Sequence, residues 1–314
     1  MCGMRERGIS MEQKSMKKKK KVNPKRWLSA KVPPYLFTMP SIILFLLFII
    51  YPIINMIRLS FFEWNGLTDE KYVGLKNYEY LFNVQIDFKT ALMNTAVYTA
   101  SVVFFLLLFA LIFSVWLQKD SRINGWVQRI MFFPHLCSML AVSVVFSWLM
   151  DEHGLFNAVM EFFNLPGLRW LNDSSTAMMS VVIVAVWKGI GYQALILLSA
   201  LKSIPTEIYE AAALDNTPPV RKFFRITIPL LSPQLFFMLI NITLSSFKVF
   251  DSVRVLTGGG PGKSTLVLVY YIYEYAQANL KYGVAAAAGV VLFIFLGILT
   301  VIYFRLIGKR VHYQ

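Results

Sequence analysis

The chain has 314 residues, of which 57% are hydrophobic and only 15% are charged, and its mean hydropathy is +0.56. Charged residues make up about a quarter of a typical soluble chain, so this composition excludes an ordinary soluble domain and indicates a membrane protein. The net charge of +14 would suit a nucleic-acid-binding protein, but the positions of the basic residues along the chain are better explained by membrane topology.

Residues 1–34 are basic and polar and include five consecutive lysines at 17–21. The apolar stretch that follows, at 35–57, is longer than the h-region of a signal peptide, which has about 7–15 residues, and it lacks a small-residue cleavage site. It is therefore interpreted as an uncleaved first membrane span. A lysine run beside a first span is typical of a segment that sets the topology and faces the lipid surface.

Five further apolar segments are each long enough to cross about 30 Å of hydrocarbon as a helix. Their approximate bounds are 91–117, 127–150, 176–201, 228–250 and 284–307. The sequence therefore predicts an all-α integral membrane protein with six transmembrane helices. It divides into a basic tail at 1–34, a first transmembrane helix and external loop at 35–90, and a five-helix core at 91–310 that contains a polar loop at 203–229.

The distribution of lysine and arginine predicts the orientation, because loops rich in these residues stay cytoplasmic. With a cytoplasmic N-terminus and six alternating spans, 21 of the 31 basic residues but only six of the 17 acidic residues fall on the inner side. The inner segments are the tail, the loop near 118–129, the loop at 202–225 and the C-terminal end. Both termini are therefore predicted to be cytoplasmic, and the net charge needs no nucleic acid to explain it.

The predicted external segments, at 60–90, 151–175 and 251–282, are larger and more aromatic than the inner loops, and the second is acidic and contains Trp170. Aromatic residues at span ends anchor helices in the membrane interface, and docking of an external partner is the alternative interpretation. The third segment contains GGGPGKST, which resembles a phosphate-binding loop. Thr257 stands where that motif requires its first glycine, so the run is interpreted as a turn at the end of the fifth span.

The chain lacks the groups that catalysis within a membrane requires. Its three histidines lie on different segments, no span contains paired carboxylates, and no Cys/His spacing suits zinc. The sequence therefore predicts no catalytic residue and no metal site. Lys188 and Lys248 lie at or near membrane depth, where ionisable groups usually face the interior of a helix bundle or a water-filled cavity. Snorkelling to the membrane surface is the alternative.

The polar loop at 203–229 carries several helix signals between two spans. Ser203 is a candidate N-cap, and Pro205 suits a first helical turn. The helix is expected to end near Asp215, because two prolines follow at 218–219. A second short helix is expected at 220–226, before Pro229 opens the fifth span. The small side chains at 211–213 leave room for the backbone of a partner, and Glu210 beside them offers a carboxylate to an arginine. An ordinary solvated loop is the alternative.

This loop resembles the EAA motif of the permease subunits of binding-protein-dependent ABC importers. That motif reads EAA, three residues, glycine, nine residues, and then I-x-L-P. The matching residues in this chain are Glu210, Ala211, Ala212, Asn216, Ile226, Ile228 and Pro229. Asn216 replaces the glycine of the family. Glycine there allows a left-handed turn, and asparagine is the residue that next best tolerates that conformation.

The resemblance extends over about residues 35–310. Flanking stretches that carry it include WKGIGY and LKSIPTEIYEAA before the motif and FKVFDSVRVLTGGGPG after the fifth span. The opening stretch FLLFIIYPIINMIRLSFFEWNG looks like the carbohydrate-uptake, or maltose-type, branch. The resemblance implies a MetI-like permease fold in a bacterial inner membrane, with the first span peripheral to a five-helix core.

The resemblance also implies partners. A second, homologous permease would pair with this chain, and an extracellular solute-binding protein would deliver a sugar or oligosaccharide. An ATPase dimer would bind the EAA loop, and ATP and magnesium would be held by that ATPase rather than by this chain, which is a transport subunit and not an enzyme. The residues expected at the ATPase contact are Glu210, Ala211, Ala212, Asp215, Asn216, Ile226 and Pro229.

By similarity to maltose-type permeases, four residues lie where sugar contacts are found: Gly189, Tyr192, Ser245 and Ser246. Tyr192 is expected to stack on a sugar face and the serines to hydrogen-bond to its hydroxyl groups, with core packing as the alternative. Lys188 and Lys248 complete the candidate pathway. The alternative functions are an ABC permease for another solute, such as a polyamine or an anion, and a stand-alone secondary carrier.

Overall fold

The computed structural model describes residues 37–306 and 308. The predicted basic tail at 1–34 and the C-terminal basic residues Lys309 and Arg310 lie outside the described residues. The described residues divide into two units between Asn55 and Met56. The described part of the first unit belongs to a single apolar helix, α1, Phe37–Leu59, which is long enough to cross a membrane.

The second unit is almost entirely helical. A short antiparallel pair, β1 (Phe62–Glu63) and β2 (Lys71–Tyr72), follows α1. The helices after it are α2 (Lys76–Glu79), α3 (Ile86–Trp116), α4 (Arg122–Leu136), α5 (Met139–Leu149), α6 (Leu155–Phe162), α7 (Ala177–Lys202), α8 (Thr206–Leu214), α9 (Pro219–Phe247), α10 (Asp251–Leu256), α11 (Leu268–Tyr273) and α12 (Tyr282–Leu306). Five helices, α1, α3, α7, α9 and α12, are long and apolar enough to span, and α4 with α5 makes a sixth span if counted as one. The predicted all-α membrane fold is confirmed.

The third predicted span is two helices, α4 and α5, bent by 102° at a short break. Pro134 lies in the last turn of α4, where its ring cannot donate a backbone hydrogen bond. Cys137 and Ser138 then take extended conformations, and the Ser138 hydroxyl oxygen accepts a hydrogen bond from the N–H of Ala141 at 3.2 Å. A single continuous helix at 127–150 is thus wrong in detail, because a proline ends one helix and a serine N-cap begins the next.

Helix α9 runs without a break from Pro219 to Phe247. Residues 220–226 are helical, as expected, but they run on into the fifth span, so the expected interruption before Pro229 is wrong. The physical reason is a π-helical turn at Phe223–Thr227, in which the N–H of Ile228 donates to the carbonyl of Phe223. Such a turn re-routes the hydrogen bonds just before the proline that has no N–H to give, so the helix continues through it.

Helix α7 lies at the centre of the helix packing. Helix α7 packs along α3 and also against α4. At the second contact, a β-carbon on Gly191 would lie 1.7 Å from the carbonyl oxygen of Met131, so this approach requires glycine. The short helix α10 packs against α5 and α7. The buried residues at these contacts belong to one hydrophobic core cluster, which includes Leu106, Phe146 and Val184.

Candidate functional site: a polar cavity and the 203–229 loop

A cavity of about 600 Å³ lies among α3, α4, α5, α7, α9 and α10. Small-molecule sites usually have about 300–1,000 Å³. The cavity is lined by all six residues predicted for the substrate pathway, which are Lys188, Gly189, Tyr192, Ser245, Ser246 and Lys248. The first three share one face of α7, because residues three and four positions apart are neighbours on a helix. The other three lie at the end of α9, so two separate stretches of sequence meet in one place.

The ammonium group of Lys188 donates a hydrogen bond to the carbonyl oxygen of His135 at 3.2 Å. His135 lies in the last turn of α4, where the carbonyl groups lack partners farther along the helix and attract positive charge. A lysine in the middle of a membrane span costs about 3 kcal/mol on insertion scales, and this carbonyl together with the open cavity offsets part of that cost. Lys188 therefore ties α7 to the end of α4 rather than snorkelling to the membrane surface.

The ring of Tyr192 lies flat against the imidazole of His135. The ring centroids are 4.1 Å apart and the planes differ by 5°. Tyr192 is 37% exposed, and both residues line the cavity. One face of the tyrosine that was expected to meet a sugar is thus covered by a histidine from another helix. What the cavity offers to a ligand here is a stacked pair of rings.

The polar groups on α9 differ in what they can offer. The hydroxyl of Ser245 donates to the carbonyl of Asn241 at 2.6 Å, so its free capacity is that of an acceptor. Ser246 is buried and Lys248, just past the helix end, is exposed. This end of the cavity therefore presents hydroxyl and amide oxygens next to an ammonium group.

Sequence reasoning missed six polar residues on the cavity, which are Tyr98, His135, Gln193, Asn241, Asp251 and Ser252. Asn241 lies one helical turn before Ser245, so helical spacing from a predicted residue identifies it. His135 is a polar residue inside an apolar run, which is itself a functional signal. The residues that contact His135 depend on the break between α4 and α5, and the sequence did not predict that break. Asp251 adds a carboxylate to a lining that already carries two lysines.

In the 203–229 loop, α8 ends at Leu214, close to where the prolines predict. Asn216 has a φ of +51°. The N–H groups of Asn216 and Thr217 donate to the carbonyls of Ala213 and Ala212, each at 3.0 Å. This is the hydrogen-bond pattern of a Schellman C-cap, whose left-handed residue is usually glycine. Asparagine therefore makes the left-handed turn that was expected at this position.

The start of α8 differs from the prediction. The hydroxyl of Ser203 donates to the carbonyl of Ala200 at 2.7 Å, and the residue before the helix is Pro205. Ser203 is thus not an N-cap, because its hydroxyl donates to a carbonyl in the last turn of α7 instead.

The predicted coupling residues differ in exposure. Glu210, Ala211, Asp215 and Asn216 are exposed, Ile226 and Pro229 are half-buried in α9, and Ala212 is buried. Ala212 therefore faces this chain, and the room expected there for a partner's backbone is already filled.

The glycine-rich run forms a turn after α10 rather than directly after the fifth span. The ammonium of Lys263 pairs with the carboxylate of Asp87 at 2.6 Å. The side-chain amide of Asn94 donates to the carbonyl of Lys263 at 2.9 Å. The lysine that a phosphate-binding loop would place on a nucleotide thus fastens this turn to the beginning of α3.

Apolar spanning helices packed around a polar-lined cavity define a membrane transport protein of the permease class. Residues 92–313 match the family described as binding-protein-dependent transport system inner membrane component. The chain belongs to this family of inner membrane transport components. The resemblance that was based on the EAA motif is confirmed, and the chain is a transport subunit.

Relatives match along almost their full length. The "probable ABC transporter permease protein YurN" of Bacillus subtilis is 36% identical, over 84% of this chain and 92% of the relative. The sn-glycerol-3-phosphate transport system permease protein UgpA of Pectobacterium atrosepticum is 32% identical, over 90% and 96%. The arabinooligosaccharides transport system permease protein AraP of Bacillus subtilis is 33% identical, over 90% of each chain.

Solved structures agree on the fold. A chain of the bacterial alginate ABC transporter, crystallised with an alginate pentasaccharide-bound periplasmic protein, superposes with a TM-score of 0.77 at 21% identity, over 88% of this chain and 94% of that one. A chain of the MetNI methionine ABC transporter superposes with a TM-score of 0.51 at 16% identity, over 70% and 94%. These likenesses confirm the MetI-like permease fold.

Proposed function

We propose that this chain is the membrane-spanning subunit of an ATP-driven importer and that a sugar or oligosaccharide passes through its cavity. The observation that carries the proposal is the convergence of α7 and α9. Six residues predicted from two distant stretches line one cavity of about 600 Å³. Relatives that are named for the transport of arabinooligosaccharides and of sulfoquinovosyl glycerol support a carbohydrate over other solutes.

The same proposal assigns partners to two surfaces. An ATPase dimer, which carries ATP and magnesium, binds the 203–229 loop, where the exposed carboxylate of Glu210 stands on α8. A second, homologous permease completes the translocation pathway. A solute-binding protein docks on the aromatic external segments. The excess of basic residues on the alternate loops supports this orientation, with both termini and the 203–229 loop in the cytoplasm.

The chain contributes no catalysis to this cycle. The solute-binding protein releases the sugar toward the cavity, where acceptor oxygens of α9 and the ring of Tyr192 receive it. ATP binding draws the two ATPases together, and the loop transmits that movement to α7 and α9, which flank it. Both helices also line the cavity, so movement of the loop changes the space that the sugar occupies.

The test is uptake into proteoliposomes that contain this chain, the second permease, the ATPase and the solute-binding protein. The solutes offered are short arabino-, gluco- and galacto-oligosaccharides, with spermidine and glycerol phosphate as non-sugar comparisons. We expect ATP-dependent uptake of at least one sugar and an about tenfold loss in Tyr192→Ala. Trp148→Phe, on the exposed surface of α5, is the matched control. Uptake of a sugar by this chain alone along an ion gradient, or uptake of the non-sugar solutes only, would overturn the proposal.

A further inference from the structure

Two side chains of α7 contact His135, one at its backbone and one at its ring. The ammonium of Lys188 binds its backbone carbonyl at 3.2 Å, and the ring of Tyr192 lies 4.1 Å from its ring. Lys188 and Tyr192 are four residues apart, so both project from one face of α7. Because the backbone and the ring are fixed together, the side chain of His135 is presented to the cavity in one orientation.

The edge of the imidazole is the part left for a ligand. Tyr192 covers one face, and the ring of Phe132, one helical turn earlier on α4, lies 5.8 Å from the imidazole on a tilted plane. Neither ring nitrogen bonds to any other atom in the part of the chain that the structure describes. A neutral imidazole carries one N–H donor and one acceptor nitrogen, and His135 lines the cavity. The imidazole therefore offers one hydrogen-bond donor and one acceptor at the cavity wall.

The surroundings of the ring pair suit a sugar. Gly189, three residues before Tyr192, has no side chain, and a β-carbon there would already approach Leu106 to 3.2 Å. Leu106 of α3 therefore lies close to the backbone of α7 here, and the wall beside the rings is apolar. A pyranose or furanose ring has an apolar C–H face that packs on an aromatic ring and hydroxyl groups around its rim that need hydrogen-bonding partners.

We infer that His135 is a specificity-determining residue of the transport pathway: the stacked pair of Tyr192 and His135 forms one wall of a sugar site. The uncovered face of Tyr192 packs on one sugar unit, and a ring nitrogen of His135, at the edge of the pair, hydrogen-bonds to a hydroxyl group of the neighbouring unit. This inference rests on the proposed transport of a sugar through the cavity. Lys188 acts as a positioning residue, because it fixes the backbone of His135.

The experiment compares His135→Phe with the wild type in the reconstituted four-component importer. Phenylalanine keeps the stacking ring but has no nitrogen. The probes are the short oligosaccharide that the wild type imports fastest and a series of its monodeoxy analogues. We expect His135→Phe to import the parent sugar about tenfold more slowly than the wild type does. For one analogue, the one without the hydroxyl group that His135 binds, we expect the variant and the wild type to have the same import rate. The ratio of variant to wild type for each sugar cancels the preference of the solute-binding protein.

A purely structural role of His135 predicts a different result, an equal loss for the parent sugar and every analogue, and that result would overturn the inference. Assembly with the partners and basal ATPase rate report on folding. Should His135→Phe fail to assemble, His135→Gln, which keeps a hydrogen-bonding edge, is compared with His135→Leu, which lacks one. Only the first is then expected to discriminate among the analogues. If the wild type imports none of the sugars, the proposed function itself fails, and that outcome is distinct from sugar import that is indifferent to His135.

Discussion

Gly191 of α7 lies directly against the backbone of Met131 on α4, so close that a β-carbon would be 1.7 Å from the Met131 carbonyl oxygen. Backbone atoms cannot move aside as the end of a long side chain can, so the two helices would have to separate. We expect Gly191→Ala to destabilise the protein by about 1–3 kcal/mol through overpacking. The measurement is the thermal unfolding midpoint of the purified protein.

Gly125→Ala is the control for this prediction. Gly125 belongs to the same helix α4, and a β-carbon on it would meet no atom within 4 Å. Its unfolding midpoint should match that of the wild type or exceed it, because alanine favours the helix. Equal midpoints for the two variants would show that α4 and α7 do not pack at Gly191 in the assembled protein.

The exposed carboxylate of Glu210 gives a prediction for the ATPase contact. We expect Glu210→Ala to weaken co-purification of the ATPase by at least tenfold, since a hydrogen bond to a charged group contributes about 1.5–3 kcal/mol. Insertion into the membrane should be unaffected. Glu207→Ala, which removes another exposed carboxylate from the first turn of the same helix, is the matched control. A similar loss in both variants would mean that net loop charge, and not Glu210, attracts the ATPase.

The left-handed conformation of Asn216, with a φ of +51°, gives a second prediction for the loop. Asn216→Gly should leave α8 as stable as before. Asn216→Ala should cost about 1 kcal/mol, because alanine keeps the β-carbon that crowds the following carbonyl but lacks the side-chain amide with which asparagine offsets that strain. Amide hydrogen exchange at α8 measures this local stability. Unchanged protection of α8 in Asn216→Ala would contradict the importance of this C-cap.

The pairing of Arg58 with Glu70 predicts a pH dependence for the loop after α1. The hydrogen bond from the Arg58 guanidinium, one branch of which is 2.9 Å long, holds the pKa of the Glu70 carboxyl below its usual 4.5. A carboxyl whose pKa is lower in the folded state stabilises the fold at neutral pH, and this stabilisation is lost as pH falls through the lowered pKa. Limited proteolysis of 62–72 should therefore be constant from neutral pH into the usual carboxyl range and increase below it. In Glu70→Gln the increase in cleavage at low pH should be absent, because glutamine has no carboxyl group to protonate.

Much of the fold follows from local sequence rules. Apolar length locates most of the spans to within a few residues, because a helix must cover the hydrocarbon thickness whatever it packs against; the exception is the start of α9 at Pro219. The end of α8 is equally local, since two prolines and an asparagine determine it. The six candidate pathway residues were found through resemblance and through the high cost of lysine within a membrane.

The helix break after Pro134, the continuity of α9 through Pro229 and the stacking of His135 on Tyr192 could not be predicted, because each depends on local hydrogen bonding or on a contact between helices. Pro134 and Pro229 are both prolines in apolar runs, yet the first precedes a break and the second lies in a continuous helix. The outcome depends on whether the chain can rearrange its hydrogen bonds nearby, by a serine N-cap in one case and a π-helical turn in the other. The stacking of His135 on Tyr192 joins residues 57 positions apart, and periodicity within a single helix carries no information about such a pair.

The π-helical turn before Pro229 has a mechanical consequence. Because the hydrogen-bonded backbone is continuous from Pro219 to Phe247, residues at the loop and residues at the cavity belong to one rod about 43 Å long, at 1.5 Å per residue. The helix continues through Pro229 and Pro233, so the loop and the cavity share one element of secondary structure. A displacement near Pro219 is therefore expected to pass along the helix to Ser246, with any bend located at the π-helical turn or the prolines.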